Sequence, residues 1–258
     1  MNPVGRRGWE RPAFWVLVML PLVSMLCSCA RVAVKPPARD ARQAVLVTAS
    51  GWNTVAASLQ RYERRETGTP WIAVGGSIPA VLGRNGLAWG QGLSPKRPGE
   101  GPVKREGDGR SPAGVFVIRS AFGYAAADDV SWIRLPYRQS TPGLKCVDDP
   151  SSPHYNRLVD TAVEAKTWDS HEDLLRRDDL YRFGAVIGHN DDPPVAGAGS
   201  CIFLHVWRGP NRGTAGCTAV APARLEEILR WLDPALFPVL VQLVAEDRER
   251  LREAWDLP

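Results

Sequence analysis

The chain has 258 residues, 44% of them apolar, with a formal charge of +4; that is enough apolar length for one large domain with a packed core. Arg6, Arg7 and Arg11 against Glu10 supply half of that charge, and the near-neutral remainder has no Lys/Arg stripe, which excludes a nucleic-acid footprint. Ten tryptophans, 24 glycines and 22 prolines favour a turn-rich, strand-rich fold over a helical bundle.

In chain order, the first segment is an apolar run from Ala13 to Leu26 behind the three arginines. It has the length of a secretory hydrophobic region and is short for a membrane span; Pro21 and Ser24 interrupt it. It ends in Leu26-Cys27-Ser28-Cys29, which resembles the lipobox of bacterial lipoproteins. That resemblance implies a signal peptide over residues 1–28, cleavage before Cys29 and a lipid on the Cys29 thiol. The protein is then expected to be exported, in the periplasm or cell envelope, and anchored to a membrane as a lipoprotein. An ordinary cleaved signal or an uncleaved anchor is the alternative. Residues 29–41 read as a tether.

Val45–Thr48 reads as a buried strand. From Asn53 to Glu66, Val55, Leu59 and Tyr62 recur at helical spacing and predict a helix. Trp71–Val74 and Ile78–Leu82 are strand-like runs broken by Gly75-Gly76. Residues 94–114 form a Gly-, Pro- and charge-rich loop or hairpin leading into the strand Val115–Ile118. Ser170–Asp179 predicts a short helix with Leu174 and Leu175 inward, followed by strands at Ala185–His189 and Ile202–Val206. Pro222–Leu232 predicts a helix with Leu225, Ile228, Leu229 and Leu232 on one face. A strand at Pro238–Val244 and a charged helix at Glu246–Trp255 end the chain. The reading is one mainly β domain with flanking helices over residues 42–246, and a helical tail over 247–258.

Five cysteines are present. Cys27 and Cys29 belong to the export segment, which leaves an odd three in an oxidising compartment. The simplest division is a Cys146–Cys201 disulfide and a reactive thiol at Cys217, although proximity of the pair is not legible in sequence.

The segment that carries chemistry is Gly199–Val220, GSCIFLHVWRGPNRGTAGCTAV. His205 closes a strand, a polar turn follows, and Cys217 stands behind Gly216. A cysteine nucleophile needs a base beside it, because a free thiol is mostly protonated at neutral pH. It also needs backbone N–H groups aimed at a developing oxyanion. Gly213 and Gly216 around Thr214-Ala215 permit such a turn, giving a Cys217–His205 dyad with amides near Gly216 and Cys217 as the oxyanion hole. Cys201 is the rival nucleophile, but on one strand it would stand about 13 Å from His205. The same spacing weakens Cys201 and His205 as joint zinc ligands. A metal site at His189, His205 and Cys217, or a buried structural thiol at Cys217, are the remaining alternatives. No metal or cofactor is expected.

Thr214-Ala215-Gly216-Cys217 downstream of His205 resembles the active-site signature of the YkuD-type L,D-transpeptidases: a His, a variable turn, then Ser/Thr-x-Gly-Cys. Residues 104–116, KREGDGRSPAGVF, resemble the stretch that opens the catalytic domain in one branch of that family. The resemblance spans roughly residues 100–243. It implies a β-sandwich-like catalytic domain with Cys217 as nucleophile and His205 as base, His205 being oriented by a backbone carbonyl. It further implies peptidoglycan stem peptides as substrate, and the protein is expected to act as a monomer. The sequence departs from the pattern at Ala215, where many members carry His, at Thr218 and Ala219, and in the short turn. His189 is a candidate for the missing imidazole, or a structural histidine. Arg208 and Arg212 are candidates to clamp substrate carboxylates, or solvated turn residues; Asp108 and Arg110 are expected to order the hairpin. His154 and His171 receive no role. A carboxypeptidase or amidase using water, and a non-catalytic cell-wall-binding lipoprotein, are the alternative functions.

Overall fold

A computed structural model of the chain describes residues 35–94 and 97–258, together with residues 1, 5 and 8. The export segment, including Cys27 and Cys29, lies outside the described residues. No helix among the described residues is long and apolar enough to cross a membrane.

The elements in chain order are β1 (Gln43–Ala49), β2 (Ala56–Glu63), β3 (Ile72–Val81), β4 (Leu87–Trp89), β5 (Ser111–Gly123), β6 (Tyr137–Gln139), β7 (Leu144–Val147), β8 (Leu158–Asp160), β9 (His171–Asp173), β10 (Phe183–Ile187), β11 (Phe203–Val206), β12 (Thr218–Val220), α1 (Pro222–Trp231), β13 (Val239–Val244) and α2 (Ala245–Trp255). The main sheet runs β10-β11-β12-β3-β2-β1-β13-β5-β4, and β5 also pairs with β10. The hydrogen-bonded path therefore closes on itself through β5 and β10, so these strands present no free edge along the ring. A small sheet, β8-β7-β9, stands apart. The mainly β architecture with two flanking helices agrees with the expected fold class.

The core explains the closure. Val45 and Val47 of β1, Val115 and Phe116 of β5, and Val239, Leu240 and Val241 of β13 are fully buried. β1 and β13 run parallel, with Val45 opposite Leu240. Such central strands read as continuous apolar runs because both faces are covered. Helix α1 buries Leu225, Ile228 and Leu229 against β10 and β11, and α2 packs on β13 and β1.

Three expectations are corrected. Residues 53–66 do not form a helix: β2 lies antiparallel between β1 and β3. Its inward positions are Leu59 and Arg61, a period of two hidden by the buried arginine, which is ion-paired to Glu227 and stacked 5.6 Å from the Trp231 ring centre. Pairing along both edges outweighs the local helical spacing. Gly75-Gly76 does not separate two strands either; it lies inside β3, where the register shifts opposite Leu59 and Arg61. A Cβ at Gly75, whose φ is +66°, would come 2.8 Å from the Arg61 guanidinium. Residues 170–179 do not form a helix: His171–Asp173 form β9 on the edge of β7, Leu174 is buried but Leu175 is exposed, and a 3-10 turn follows at Asp179–Tyr181.

The outer boundaries also move. Ala38 and Ala41, assigned to the tether, are fully buried, and the Ala38 N–H donates to the Trp255 carbonyl. Leu251, Trp255 and Leu257 are buried with them, so the C-terminal helix is part of the core, and residues 35–258 form one compact unit.

Candidate active site

β11 and β12 run parallel with His205 opposite Ala219. That register brings Cys217, two residues ahead of Ala219, beside β11. The Phe203 N–H donates to the Cys217 sulfur at 3.3 Å, and the thiol donates to the Cys201 carbonyl at 3.5 Å. Cys217 and His205 line one cavity of about 610 Å³. Among the described residues Cys217 is the free cysteine, while Cys146 and Cys201 are joined by a disulfide with their Cα atoms 5.9 Å apart. The bond ties β7 to the residue whose carbonyl faces the Cys217 sulfur. Cys201, with φ at +54°, is thereby no nucleophile.

The His205 Nδ1 lies 2.8 Å from the Val206 carbonyl. A carbonyl can only accept, so the contact places the proton on Nδ1 and leaves Nε2 as the basic nitrogen. Burial lowers the His205 pKa to about 4, which keeps the ring neutral at neutral pH. The Leu180 carbonyl beside it favours the imidazolium once a proton arrives. Burial also pushes the Cys217 thiol up, and the Glu172 carboxylate adds to that; the Phe203 N–H, Lys104 and the Tyr181 hydroxyl act the other way. Both groups are thus neutral at neutral pH, each held by its own backbone partners on the wall of one cavity.

The turn before Cys217 is shaped by its own side chains. Thr214 Oγ1 accepts the Gly216 N–H at 3.1 Å and donates to the Cys217 carbonyl at 2.6 Å. The Gly216 amide is therefore committed to Thr214, which corrects its expected place in an oxyanion hole. Gly213 answers to packing rather than to substrate, because a Cβ there would meet the Arg84 Cα at 2.6 Å. Ala215 is exposed and Arg208 and Arg212 are exposed, all three on the cavity wall.

His189 is not at this site. It is 1% exposed, its Nδ1 accepts the Gln91 N–H at 3.2 Å and its Nε2 meets the Ala198 carbonyl at 3.1 Å. The candidate second imidazole is a structural histidine, and the alternative metal site with His205 and Cys217 falls with it. Among the described residues no group of three or more His, Cys, Asp or Glu is placed to hold a metal. Asp108 orders its hairpin, accepting from Lys104 Nζ at 2.6 Å, Arg105 N–H at 2.8 Å and Arg110 N–H at 2.9 Å.

Sequence reasoning missed one side of the cavity. Asp148, His171 and Glu172 reach it from the small sheet, with Arg176 and Tyr181 from the segment that follows β9. The Tyr181 hydroxyl donates to Glu172, and its ring packs on His205 with centroids 5.1 Å apart. Glu106 is a third acidic group on the cavity, accepting from Ser200 Oγ at 2.7 Å and from the Tyr155 hydroxyl. The usable signal was a glutamate between His171 and Asp173 in a segment flanked by turns, but nothing in it points to residue 217.

The YkuD family model, described as the L,D-transpeptidase catalytic domain, matches residues 59–241, a span that includes both His205 and Cys217. No curated protein matches the chain.

Proposed function

Because the chain belongs to the YkuD family, the L,D-transpeptidase catalytic domain, we propose that it forms a thioester between Cys217 and a peptidoglycan stem peptide and transfers the acyl group to an amine. The Cys217 proton passes to His205 Nε2, and the thiolate attacks the carbonyl of the diaminopimelate residue in a tetrapeptide stem. The C–N bond breaks, and the terminal D-Ala leaves as an amine protonated by His205. A second amine then attacks the thioester, the C–S bond breaks, and the sulfur regains a proton. Arg208 and Arg212 on the cavity wall suit substrate carboxylates, and Glu106, Asp148 and Glu172, which line the same cavity, suit an incoming ammonium.

One observation carries this reading: the free thiol of Cys217 and an imidazole fixed by the Val206 carbonyl line the same cavity. Substrate binding favours the thiolate by excluding water and by presenting a carbonyl to the backbone N–H groups around the sulfur. The test is mass spectrometry of the protein incubated with purified muropeptides, with and without an added amine. An acyl adduct on Cys217 and an amine-dependent cross-linked product support transfer. A product formed with water alone would make the protein a carboxypeptidase.

A second reading, a cell-wall-binding lipoprotein without catalysis, is favoured by the burial of Cys217, 6% exposed with its thiol pushed up. Absence of any adduct on Cys217 under the same conditions selects it. The export and lipidation of Cys29 are proposed alongside, on the Leu26-Cys27-Ser28-Cys29 pattern; fatty-acid labelling that survives Cys29→Ala would remove them.

A further inference from the structure

Glu106 sits in the turn of the 104–110 segment, on the wall of the cavity that holds Cys217. Its backbone is fixed from both sides. The Glu106 N–H donates to the Gly197 carbonyl at 2.9 Å, and Asp108 accepts the Arg105 and Arg110 N–H groups around it. The side chain is fixed as well, but through one oxygen. Oε2 accepts both the Ser200 hydroxyl, at 2.7 Å, and the Tyr155 hydroxyl, and the two donor residues are buried at 7% and 3% exposure. Oε1 has no hydrogen-bond partner among the described residues and is not buried, so the half-buried side chain presents it to the cavity.

Glu106 forms no salt bridge among the described residues either. The cation two residues before it, Lys104, is committed to Asp108 at 2.6 Å and to the Arg105 carbonyl. The other carboxylates on the cavity are held differently: Glu172 by the single hydroxyl of Tyr181, and Asp148 with its Oδ1 buried and unpartnered.

We infer that Glu106 Oε1 is the binding point for a primary ammonium on the ligand of this cavity, which makes Glu106 a specificity-determining residue. A free carboxylate oxygen can only accept, and a cationic donor answers both its lone pairs and its missing counter-ion. An ammonium fits and a guanidinium does not, because a guanidinium makes its paired bonds to both carboxylate oxygens and Oε2 is already saturated by two hydroxyls. Since those hydroxyls hold the rotamer in advance, binding orders little that was free. Ser200 ties this point to the chemistry: its hydroxyl is bonded to Glu106, and the next residue, Cys201, offers its carbonyl to the Cys217 thiol. The inference rests on the stem-peptide reading of the cavity and names what it selects, a stem with a free side-chain amine.

Nα-acetyl-lysine methylamide has a primary ammonium and no other feature of peptidoglycan, so its binding is independent of the acylation experiment. NMR titration measures this probe and its side-chain-acetylated form on the full chain, in wild type and in Glu106→Gln, with a thermal melt on each protein. Glutamine keeps one carbonyl oxygen for the two hydroxyls and puts an NH2 group where Oε1 stood, so the melt should not move. Wild type should bind the amine about tenfold more tightly than the acetylated form, and Glu106→Gln should bind the two alike. A stem tetrapeptide and its acetylated form, bound to Cys217→Ala so that no acylation intervenes, should repeat the pattern. A tetrapeptide that fails to bind while the lysine probe shows the preference removes the peptidoglycan reading and leaves the ammonium site standing. Equal binding of the two lysine probes by wild type, or a preference that persists in Glu106→Gln, overturns the inference and leaves Glu106 a staple between the 104–110 turn, Tyr155 and Ser200.

Discussion

The backbone N–H of Phe203 donates to the Cys217 sulfur at 3.3 Å, so the thiol is held by the strand that also carries His205. Two residues of one strand, Phe203 and His205, thereby bring the proposed nucleophile and the proposed base to one cavity: one through its main chain, the other through its ring. The parallel pairing of β11 with β12 makes this possible, because it sets the thiol beside the strand rather than beyond its end.

His205 and His189 are both buried histidines and should separate cleanly. His205→Ala should lower acyl-adduct formation on Cys217 by about 10²–10⁴-fold, beyond the stability it costs by stripping the Val206 carbonyl of its partner. His189→Ala should cost stability and leave adduct formation by the folded protein in place. It strips partners from the Gln91 N–H and the Ala198 carbonyl, at a cost of about 1–3 kcal/mol for each unsatisfied group. Adduct formation by mass and a thermal melt on each variant check the pair; loss of adduct formation by a stable His189→Ala protein would contradict the assignment.

Thr214→Val keeps the shape of the side chain and deletes its hydroxyl. The Gly216 N–H and the Cys217 carbonyl then lose a shared partner, so the turn should loosen by about 1–3 kcal/mol. Acylation should fall by more than the change in stability explains, because the displaced backbone carries the nucleophile. Thr214→Ser, which retains the hydroxyl, should restore most of the rate.

The disulfide acts next to the chemistry. Cys201 is held at positive φ, its N–H donates to Asn156 Oδ1 at 2.9 Å, and its carbonyl faces the Cys217 thiol. Reduction, or Cys146→Ala with Cys201→Ala, should cost about 2–5 kcal/mol in unfolding free energy and should also lower acylation. Chemical denaturation with and without reductant measures the first effect. Unchanged acylation in the reduced, folded protein would show that the Cys201 carbonyl does not position the sulfur.

Acid should destabilise the protein before its carboxylates titrate. Burial lowers the pKa of both His189 and His205 from 6.5 to about 4. The unfolded chain therefore binds protons that the folded one refuses. The stability these groups contribute is complete above pH 6.5 and is lost as pH falls towards 4, on the order of 3 kcal/mol for each histidine. Denaturation midpoints measured between pH 7 and 4 should fall steadily, and the slope should be halved in His189→Gln.

Much was legible in residues 199–220, because Gly216-Cys217 behind a strand-ending His205 is a local pattern, and local patterns survive in one dimension. The helices at the end of the chain were legible for the same reason, their apolar faces repeating every three to four residues. β2 was not, since buried Arg61 breaks the alternation of a strand, and its ion pair with Glu227 joins residues 166 apart. The small sheet was not either. Glu172 and Tyr181 reach the cavity of Cys217 through a pairing of β7 with β9 and a disulfide spanning 55 residues.

By itself the sequence determined the family and the mainly β class, because these rest on residue type and short-range order. The tertiary structure alone decided that His189 is a structural histidine, that the Gly216 amide is committed to Thr214, and that Asp148 and Glu172 line the same cavity as Cys217. Each of those depends on which backbone carbonyls, amides and carboxylates are brought within hydrogen-bond reach by strands far apart in the chain, and no spacing along the chain encodes that.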